Sequence, residues 1–308
     1  MIADAAILLK TFRVRLDTGC NIRCLFCDSW QERPVNVDLG QMRVALSAAR
    51  KGGAEKIAIS GGEPLISPCL GGVLDAVCDS GLPAHVTTNG TSLDSKAALL
   101  AERGVTTIHL SLESVEGKAR FAAKCGIDRR RIESAISAAR DAGLRVEINH
   151  LVLRGMNWSV DHVRRIMDFC VRKEVDLNVL DLLYTWNPSL EAFYVPYVEI
   201  RNVLEEELGV VAQVVERDGT IQTRYRWGDI CINLRDFRGI PSASLCRTCS
   251  AESGGFGVTP PQLSTTGTIG ICKHTRKQIG KSEREVEDDV MAICAFVRAG
   301  GEMNWART

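Results

Sequence analysis

The sequence predicts an α/β protein: a partial, TIM-like (β/α)6 barrel with a C-terminal α+β extension. Short apolar runs alternate with longer segments of helical periodicity in the first part of the chain. Repeated strand, helix, strand units require a parallel sheet with right-handed crossovers. The alternation stops after about residue 184, so we expect residues 1–185 to form the barrel and residues 186–308 to form the extension.

Each barrel element follows from a local pattern. Apolar runs typical of buried strands occupy residues 12–16, 56–60, 84–87, 106–111, 144–151 and 176–182. Between them, helical periodicity predicts helices at about 37–51, 67–80, 93–102, 127–142 and 160–173. Four of these helices end in glycine, which a left-handed C-cap favours: Gly52-Gly53, Gly81, Gly104 and Gly143. Six strands are too few for a closed eight-stranded barrel, so we expect an open one.

The extension has a different pattern. We expect a helix over residues 189–208, strand pieces over 210–234 and a last helix over 283–299, with a Gly-, Ser-, Thr- and Pro-rich segment at 250–268. We expect the extension to close over the mouth of the barrel.

Composition excludes several classes of protein. Lys plus Arg and Asp plus Glu both number 38, so no overall basic field favours nucleic acid. The first ten residues contain an acid and have too short an apolar run for a signal peptide, and no stretch approaches ~18 apolar residues. We therefore expect a cytoplasmic protein that binds neither nucleic acid nor membrane.

Cysteine spacing after the first strand indicates a metal cluster. Cys20, Cys24 and Cys27 form a C-x3-C-x2-C pattern. Thiolate is the ligand of iron-sulfur clusters, and a cubane held by three protein sulfurs keeps its fourth iron free for a small molecule. A zinc site, which usually pairs two short hooks, and free thiols are the alternatives. A disulfide framework belongs to short secreted chains.

Polar and glycine-rich turns follow the next three strands. Gly61 and Gly62 allow backbone to approach a ligand closely, and Glu63 offers an acceptor for an ammonium group. Residues 87–90 and 111–114 bring hydroxyl and acid groups to the barrel mouth. Ser, Thr and Asn also cap the helices that follow such strands, and the two roles are compatible.

Together these motifs resemble the signature of the radical S-adenosylmethionine (SAM) enzymes. The resemblance implies a [4Fe-4S] cluster on the three cysteines, SAM on its open iron, and a 5'-deoxyadenosyl radical that abstracts hydrogen from a substrate. It also implies an external one-electron reductant such as flavodoxin or ferredoxin. The SAM contacts that it implies are Phe26, Gly61, Gly62, Glu63, Pro64, Thr88, Asn89, Ser111, Glu113 and Asn149.

A second cysteine set lies in the extension. Cys246 and Cys249 form a C-x2-C hook, and Cys272 follows a predicted hairpin turn at Thr266-Gly267. The pattern resembles the C-terminal motif of the molybdenum-cofactor GTP 3',8-cyclases, which implies an auxiliary [4Fe-4S] cluster. A zinc site is the alternative, and Cys231 could be a fourth ligand for either metal.

The resemblance to the cyclases is incomplete in the substrate site. Basic residues of that family fall at positions matching Arg13, Lys56, Ala58, Glu147 and Asn178, and only the first two are basic here. A carboxylate repels a triphosphate, so we expect a substrate other than GTP. Arg13 and Lys56 suit one carboxylate or monophosphate, and Glu147 suits an amine, amidine or hydroxyl.

The sequence therefore predicts a radical SAM enzyme that abstracts hydrogen from a sugar or nucleoside-like small molecule. Decarboxylation, dehydrogenation or cyclisation in natural-product or cofactor biosynthesis would complete the reaction. Three alternatives stay open: a GTP 3',8-cyclase, a peptide-modifying radical SAM enzyme, and a non-enzymatic zinc or iron-sulfur protein.

Overall fold

The structure is a computed structural model that describes residues 10–16, 19–27, 30, 38–115, 129–182, 188–217, 220–235, 261–264, 267–270 and 277–298. In this part of the chain, no helix is long and apolar enough to cross a membrane. The predicted α/β fold with a mainly parallel sheet is confirmed.

Barrel strands and helices alternate as predicted. The strands are β1 (Thr11–Leu16), β2 (Lys56–Gly61), β3 (Ala84–Thr88), β4 (Val105–Ser111), β5 (Arg145–Leu151) and β6 (Asp176–Leu180). The helices are α1 (Leu39–Lys51), α2 (Leu70–Ser80), α3 (Leu93–Glu102), α4 (Arg129–Asp141) and α5 (Val160–Lys173). Gly81 ends α2 in the left-handed conformation, with φ of 66°, because glycine has no Cβ to oppose it.

The extension differs from its prediction at the first helix. Residues 189–208 were expected to form one helix, but the structure has a 3-10 helix (Pro188–Phe193), α6 (Tyr197–Asn202) and a π-helical turn (Val203–Glu207). Pro196 lies immediately before α6. Proline lacks the N–H that a continuous helix needs and restricts the residue before it, so the helix restarts there.

The rest of the extension consists of short strands and one long helix. The strands are β7 (Ala212–Arg217), β8 (Thr220–Trp227), β9 (Ile230–Arg235), β10 (Gln262–Ser264), β11 (Thr268–Gly270) and β12 (Lys277–Gln278), and the helix is α7 (Glu283–Arg298). The hairpin predicted at Gly267 is confirmed, because β10 and β11 pair antiparallel around it.

Strands of the extension complete the barrel sheet on both sides. The order within the described residues is β12-β11-β10-β1-β2-β3-β4-β5-β6-β9-β8-β7. β10 runs parallel to β1, and β9 runs parallel to β6. The parallel part of the sheet is therefore wider than the six predicted strands, and the proposed boundary at residue 185 divides one continuous sheet.

The two faces of this sheet have opposite character. On β1, Phe12, Val14 and Leu16 are at most 1% exposed and belong to the core shared with the helices. The alternate residues of each parallel strand lie on the inner face and are largely polar. They include Arg13, Arg15, Lys56, His85, His109, Glu147, Asn149, Asn178 and Asn233. A polar inner face at the carboxyl ends of parallel strands is typical of a ligand site.

A buried histidine on the outer face of β5 makes stability sensitive to acid. His150 packs against α5, where its ring stacks on His162 with centroids 5.4 Å apart. Its Nδ1 lies 2.8 Å from the carbonyl oxygen of Leu112. Burial, reinforced by His162, lowers the pKa of His150 from 6.5 to about 3. The folded protein therefore holds this ring neutral.

We expect acid to destabilise the protein through His150. An unfolded chain binds a proton here below about pH 6.5, while the folded chain resists protonation until about pH 3. This contribution to the free energy of unfolding is complete above pH 6.5 and falls by about 1.4 kcal/mol per pH unit below it, or about 3 kcal/mol at pH 4.5. Urea unfolding at pH 7 and about pH 4.5 measures the loss.

His150→Gln is the matched control, because glutamine keeps an N–H donor for Leu112 and does not titrate. Its free energy of unfolding should fall less steeply with acid than that of the wild type. Equal slopes in the two proteins would contradict the prediction.

Candidate active site

The loop after β1 carries the three predicted cluster cysteines. Cys20, Cys24 and Cys27 are free thiols and half-buried. A tight turn joins the last two, because the Cys27 backbone N–H donates to the Cys24 carbonyl oxygen at 3.3 Å. Burial raises the pKa of the Cys20 thiol. A metal centre would offset this effect, since a coordinating thiol is deprotonated.

The glycine turn after β2 packs directly on the cysteine loop. A Cβ added to Gly62 would lie 1.7 Å from the carbonyl oxygen of Gly19, and one added to Gly61 would lie 1.9 Å from that of Leu16. The Glu63 backbone N–H donates to the same Gly19 oxygen at 2.9 Å. Only glycine allows this approach, so Gly61 and Gly62 set the spacing between the turn and the cysteines.

Glu63 connects this turn to the end of β3. Its carboxylate is fully buried and accepts hydrogen bonds from the Thr88 hydroxyl (2.6 Å), the Asn89 backbone N–H (2.7 Å) and the Leu65 backbone N–H (3.0 Å). Burial raises the pKa of Glu63, although these donors oppose the shift. Both oxygens are used by the protein, so the geometry gives Glu63 a positioning role. A direct contact with a ligand ammonium stays a prediction.

We expect Glu63→Gln to lower the free energy of unfolding by about 2 kcal/mol, because a glutamine NH2 group would face one of these donors and leave it unsatisfied. Urea unfolding measures the change. Glu102→Gln, at an exposed position on α3, is the control and should be close to neutral. Equal stability of Glu63→Gln and the wild type would show that the donors are not tied to the charge.

Asn89 brings a donor to the cysteine loop. Its Nδ2 lies 3.6 Å from the Cys20 sulfur and 2.9 Å from Asn21 Oδ1. Its Oδ1 accepts from both the backbone N–H and the hydroxyl of Thr91, at 2.9 and 2.7 Å. These contacts fix the amide so that its NH2 group faces sulfur. Such outer contacts orient ligands and tune iron-sulfur centres.

Two residues that sequence reasoning missed complete this arrangement. Asn21 Nδ2 donates to the Thr91 hydroxyl at 2.9 Å, which joins the cysteine loop to the start of α3. The position of Asn21 inside the cysteine spacing and that of Thr91 directly after Asn89-Gly90 were the available signals.

Other predicted SAM contacts are distributed around the same edge of the sheet. Ser111 and Asn149 are in register on β4 and β5 and share the inner face. Phe26 packs beside the small apolar cluster that includes Leu153 and Leu182. Pro64 is buried and starts a 3-10 turn. The Glu113 carbonyl oxygen accepts a hydrogen bond from Asn157 Nδ2 at 3.1 Å, so its backbone supports the loop after β5.

The three predicted substrate residues lie on three strands of the inner face. Arg13 is in register with Ala58 on β2, and Lys56 begins that strand. Glu147 is 2% exposed, with Oε1 3.2 Å from Arg145 Nη2 and Oε2 3.0 Å from Asn178 Nδ2. The cations and the carboxylate are thus separated across the sheet.

Comparison with known proteins identifies the family. The model of the radical SAM superfamily matches residues 15–170, which include the cysteine loop and strands β2 to β5. The chain belongs to the radical SAM superfamily. As a radical SAM enzyme it uses a [4Fe-4S] cluster and SAM, as the sequence predicted.

Curated relatives of this radical SAM protein include proteins named GTP 3',8-cyclase. The GTP 3',8-cyclase of Pelotomaculum thermopropionicum is 27% identical, over 94% of this chain and 91% of its own length. The probable GTP 3',8-cyclase of Methanocella arvoryzae is 26% identical, over 79% of this chain and 77% of its own.

Solved structures share the fold. Streptococcus suis SuiB bound to S-adenosylmethionine superposes with a TM-score of 0.64 at 17% identity; the match covers 86% of this chain and 60% of SuiB. AnSMEcpe with bound AdoMet and Cp18Cys peptide gives a TM-score of 0.60 at 16% identity, over 96% of this chain and 81% of its own. At these identities the likeness supports the partial barrel fold alone.

The donor set of this radical SAM protein suits the cluster of its family. Thiolate is the ligand of iron-sulfur clusters, and three thiols lie on one short loop beside an Asn89 amide that faces sulfur.

Most of the predicted auxiliary site cannot be compared with the structure. Cys246, Cys249 and Cys272 lie outside the described residues. Cys231 is described: it lies on β9, and its backbone N–H donates to Asp176 Oδ1 at 2.8 Å. Asp176 is the first residue of β6, so Cys231 lies at the opposite end of the strands from the cysteine loop.

Proposed function

We propose that this radical SAM enzyme abstracts a hydrogen atom from a sugar or nucleoside-like small molecule bound on the inner face of its sheet. One observation carries the proposal: the cysteine loop, the glycine turn and Asn89 form one hydrogen-bonded assembly at the carboxyl edge of a polar inner face. A ligand at that edge would contact both the cluster loop and the polar strand residues.

In this proposal Cys20, Cys24 and Cys27 hold the catalytic cluster. When bound, the cluster and SAM supply the radical that removes the hydrogen atom. The backbone of Gly61 and Gly62 is proposed to line the SAM site, and the carbonyl oxygens of Leu16 and Gly19 leave no room for a side chain at either position. Glu63 and Thr88 hold this turn in place. Phe26, Pro64, Asn89, Ser111, Glu113 and Asn149 are the further proposed SAM contacts.

Charge on the inner face favours a substrate with one anionic group. Arg13, Arg15 and Lys56 come from β1 and β2, whereas Glu147 and Asp176 come from β5 and β6. A carboxylate or monophosphate would bind near the arginines, since guanidinium matches such anions in a bidentate manner. Hydroxyl or amine groups would face the acidic side. Arg145 already pairs with both carboxylates, so this side adds no net positive charge to hold a triphosphate.

The extension is proposed to hold an auxiliary [4Fe-4S] cluster on Cys246, Cys249 and Cys272, with Cys231 as a candidate fourth ligand. A flavodoxin or ferredoxin is the proposed electron donor. The product radical would then be resolved by decarboxylation, dehydrogenation or cyclisation.

A second candidate function is GTP 3',8-cyclisation. It is favoured by the relatives of that name, one of which aligns over nearly the whole chain. Ala58, Glu147 and Asn178 argue against it, because the corresponding cyclase positions are basic by the resemblance given above.

Anaerobic reconstitution tests the proposal. We expect about eight irons per chain for two cubanes, and release of 5'-deoxyadenosine from SAM with dithionite. A panel of GTP, nucleoside monophosphates, nucleoside carboxylates and sugars should show stimulation by a singly anionic member and transfer of its deuterium into 5'-deoxyadenosine. Cyclisation of GTP would establish the second candidate. Absence of both cluster and SAM cleavage would overturn both.

A further inference from the structure

A chain of side-chain hydrogen bonds crosses the inner face from β5 to β8. Asn178 Nδ2 donates to Glu147 Oε2 and to Asn149 Oδ1, both at 3.0 Å. Asn178 Oδ1 accepts from Asn233 Nδ2 at 3.1 Å, and Asn233 Oδ1 accepts from Arg224 Nε at 3.1 Å. Glu147, Asn178 and Asn233 are at most 2% exposed. All of these hydrogen bonds join side chains, and we call the set Glu147, Asn149, Asn178, Asn233 and Arg224 the amide chain.

The two ends of the amide chain dictate the same orientation for its members. At one end, the carboxylate of Glu147 forms an ion pair with Arg145 and only accepts, so Asn178 must direct its NH2 group there. At the other end, the guanidinium of Arg224 only donates, so Asn233 must direct its oxygen there and its NH2 group towards Asn178. Both ends therefore leave Asn178 a single orientation.

Asn149 inherits its orientation from Asn178. The Asn178 NH2 group faces it, so Asn149 must present its oxygen on that side. Its own NH2 group makes no hydrogen bond within the part of the chain that the structure describes. Asn149 is half-exposed and in register with Ser111 on the inner face. Its N–H donors are left for a ligand.

We propose that Glu147, Asn178, Asn233 and Arg224 are positioning residues that lock the Asn149 amide with its NH2 group towards a ligand acceptor. The acceptor class is a hydroxyl oxygen, carbonyl oxygen or ring nitrogen of a ribosyl or nucleoside group, from either SAM or the substrate. The inference rests on the proposed function, since it assigns a donor to the same site.

If the network served only stability, it would not matter which residue donates and which accepts in each hydrogen bond. Suppose that the donor and the acceptor exchange roles in the hydrogen bonds that Asn178 makes with Glu147 and Asn149. The side chains would pack in the same way and satisfy the same number of hydrogen bonds. Direction matters only to a group outside the network. Reversal therefore separates a structural role from a positioning role.

The test compares two variants. The first carries Asn178→Asp alone, and the second combines Asn178→Asp with Glu147→Gln. The single change places two carboxylates in contact and should lower the melting temperature. The double change exchanges acid and amide, keeps the volume and the charge, and should restore it. In the double variant the carboxylate at position 178 accepts from Asn149, which then turns its oxygen to the ligand.

Equilibrium dialysis of the anaerobically reconstituted proteins measures affinity for SAM, and for adenosine and uridine 5'-monophosphates as nucleoside probes. We expect about tenfold weaker binding of SAM or of a nucleotide by the double variant, despite its restored stability. Weakening of SAM alone assigns the acceptor to SAM, and weakening of a nucleotide alone assigns it to the substrate. Asn202→Asp, on the exposed side of α6, controls for the charge that Asn178→Asp and Asn149→Asp each add.

Asn149→Asp provides an independent measurement if the double variant does not fold. This change removes the donor at a half-exposed position without interrupting the chain, and it should weaken the same ligand at least tenfold. Wild-type affinity for all three probes in Asn149→Asp or in the folded double variant would overturn the inference alone. A wild-type protein that binds no SAM would overturn the proposed function as well.

Discussion

Replacing Cys24 with alanine is expected to abolish 5'-deoxyadenosine formation and to remove about four irons per chain from the reconstituted protein. The loop after β1 contains no other cysteine in the sequence, so it offers no thiol to replace a lost ligand. With an auxiliary cluster in place, the iron content should fall from about eight to about four. Iron and sulfide analysis with a dithionite-driven SAM cleavage assay measures both effects.

Cys78→Ala is the matched control for this change. Cys78 is an exposed thiol on α2 and belongs to none of the proposed clusters. Its loss should leave the iron content and the rate of SAM cleavage at wild-type values. Full iron content in Cys24→Ala, or an equal loss in the two variants, would contradict the assignment of the cysteine loop.

Replacing Gly62 with alanine should have the second largest effect. The added Cβ would overlap the carbonyl oxygen of Gly19, 1.7 Å away. That oxygen belongs to the backbone and the position of a Cβ is fixed by its own backbone, so neither atom can rotate aside. The cysteine loop must therefore move away from the glycine turn. We expect a loss of stability of about 3 kcal/mol or more, weak cluster incorporation and at least tenfold weaker SAM binding.

Gly71→Ala is the control for this second change. Gly71 lies in α2, where an added Cβ would meet nothing within 4 Å. Alanine favours the helix, so this variant should be more stable than the wild type by up to about 1 kcal/mol. Thermal unfolding and iron analysis of both variants test the comparison. Normal iron content in Gly62→Ala would show that the turn does not set the position of the cysteines.

Much of the barrel could be predicted from the sequence because its signals are local. Buried parallel strands give continuous apolar runs, and glycine ends the helices between them. The end of α2 at Gly81 is one example. The cysteine spacing is equally local, so the family could be assigned from a few residues of one loop.

Long-range pairing could not be predicted in this way. β10 pairs with β1 although some 250 positions separate Arg13 from its partner Gln262. The sequence of neither strand indicates which strand it pairs with. The broken helix before Pro196 shows the reverse case, where a local signal was present but helical periodicity was given more weight.

The site residues show the same limit. Glu63 looks like a ligand contact in the sequence, but its environment depends on how closely β3 approaches the glycine turn. The amide chain joins residues from four strands, so its direction emerges only when their side chains meet. Period-two alternation did place Asn149, Asn178 and Asn233 on one face, which was the available signal.

The pairing of β9 and β10 has a consequence for how such an enzyme can change. Both outer walls of the open barrel are supplied by the last third of the chain, and without them β1 and β6 would each present a row of unpaired backbone donors and acceptors. The two parts of the chain therefore share one continuous sheet. An exchange of C-terminal segments between relatives would therefore replace β9 and β10 in one step. Both sides of the inner face would change together, and substrate specificity would change with them.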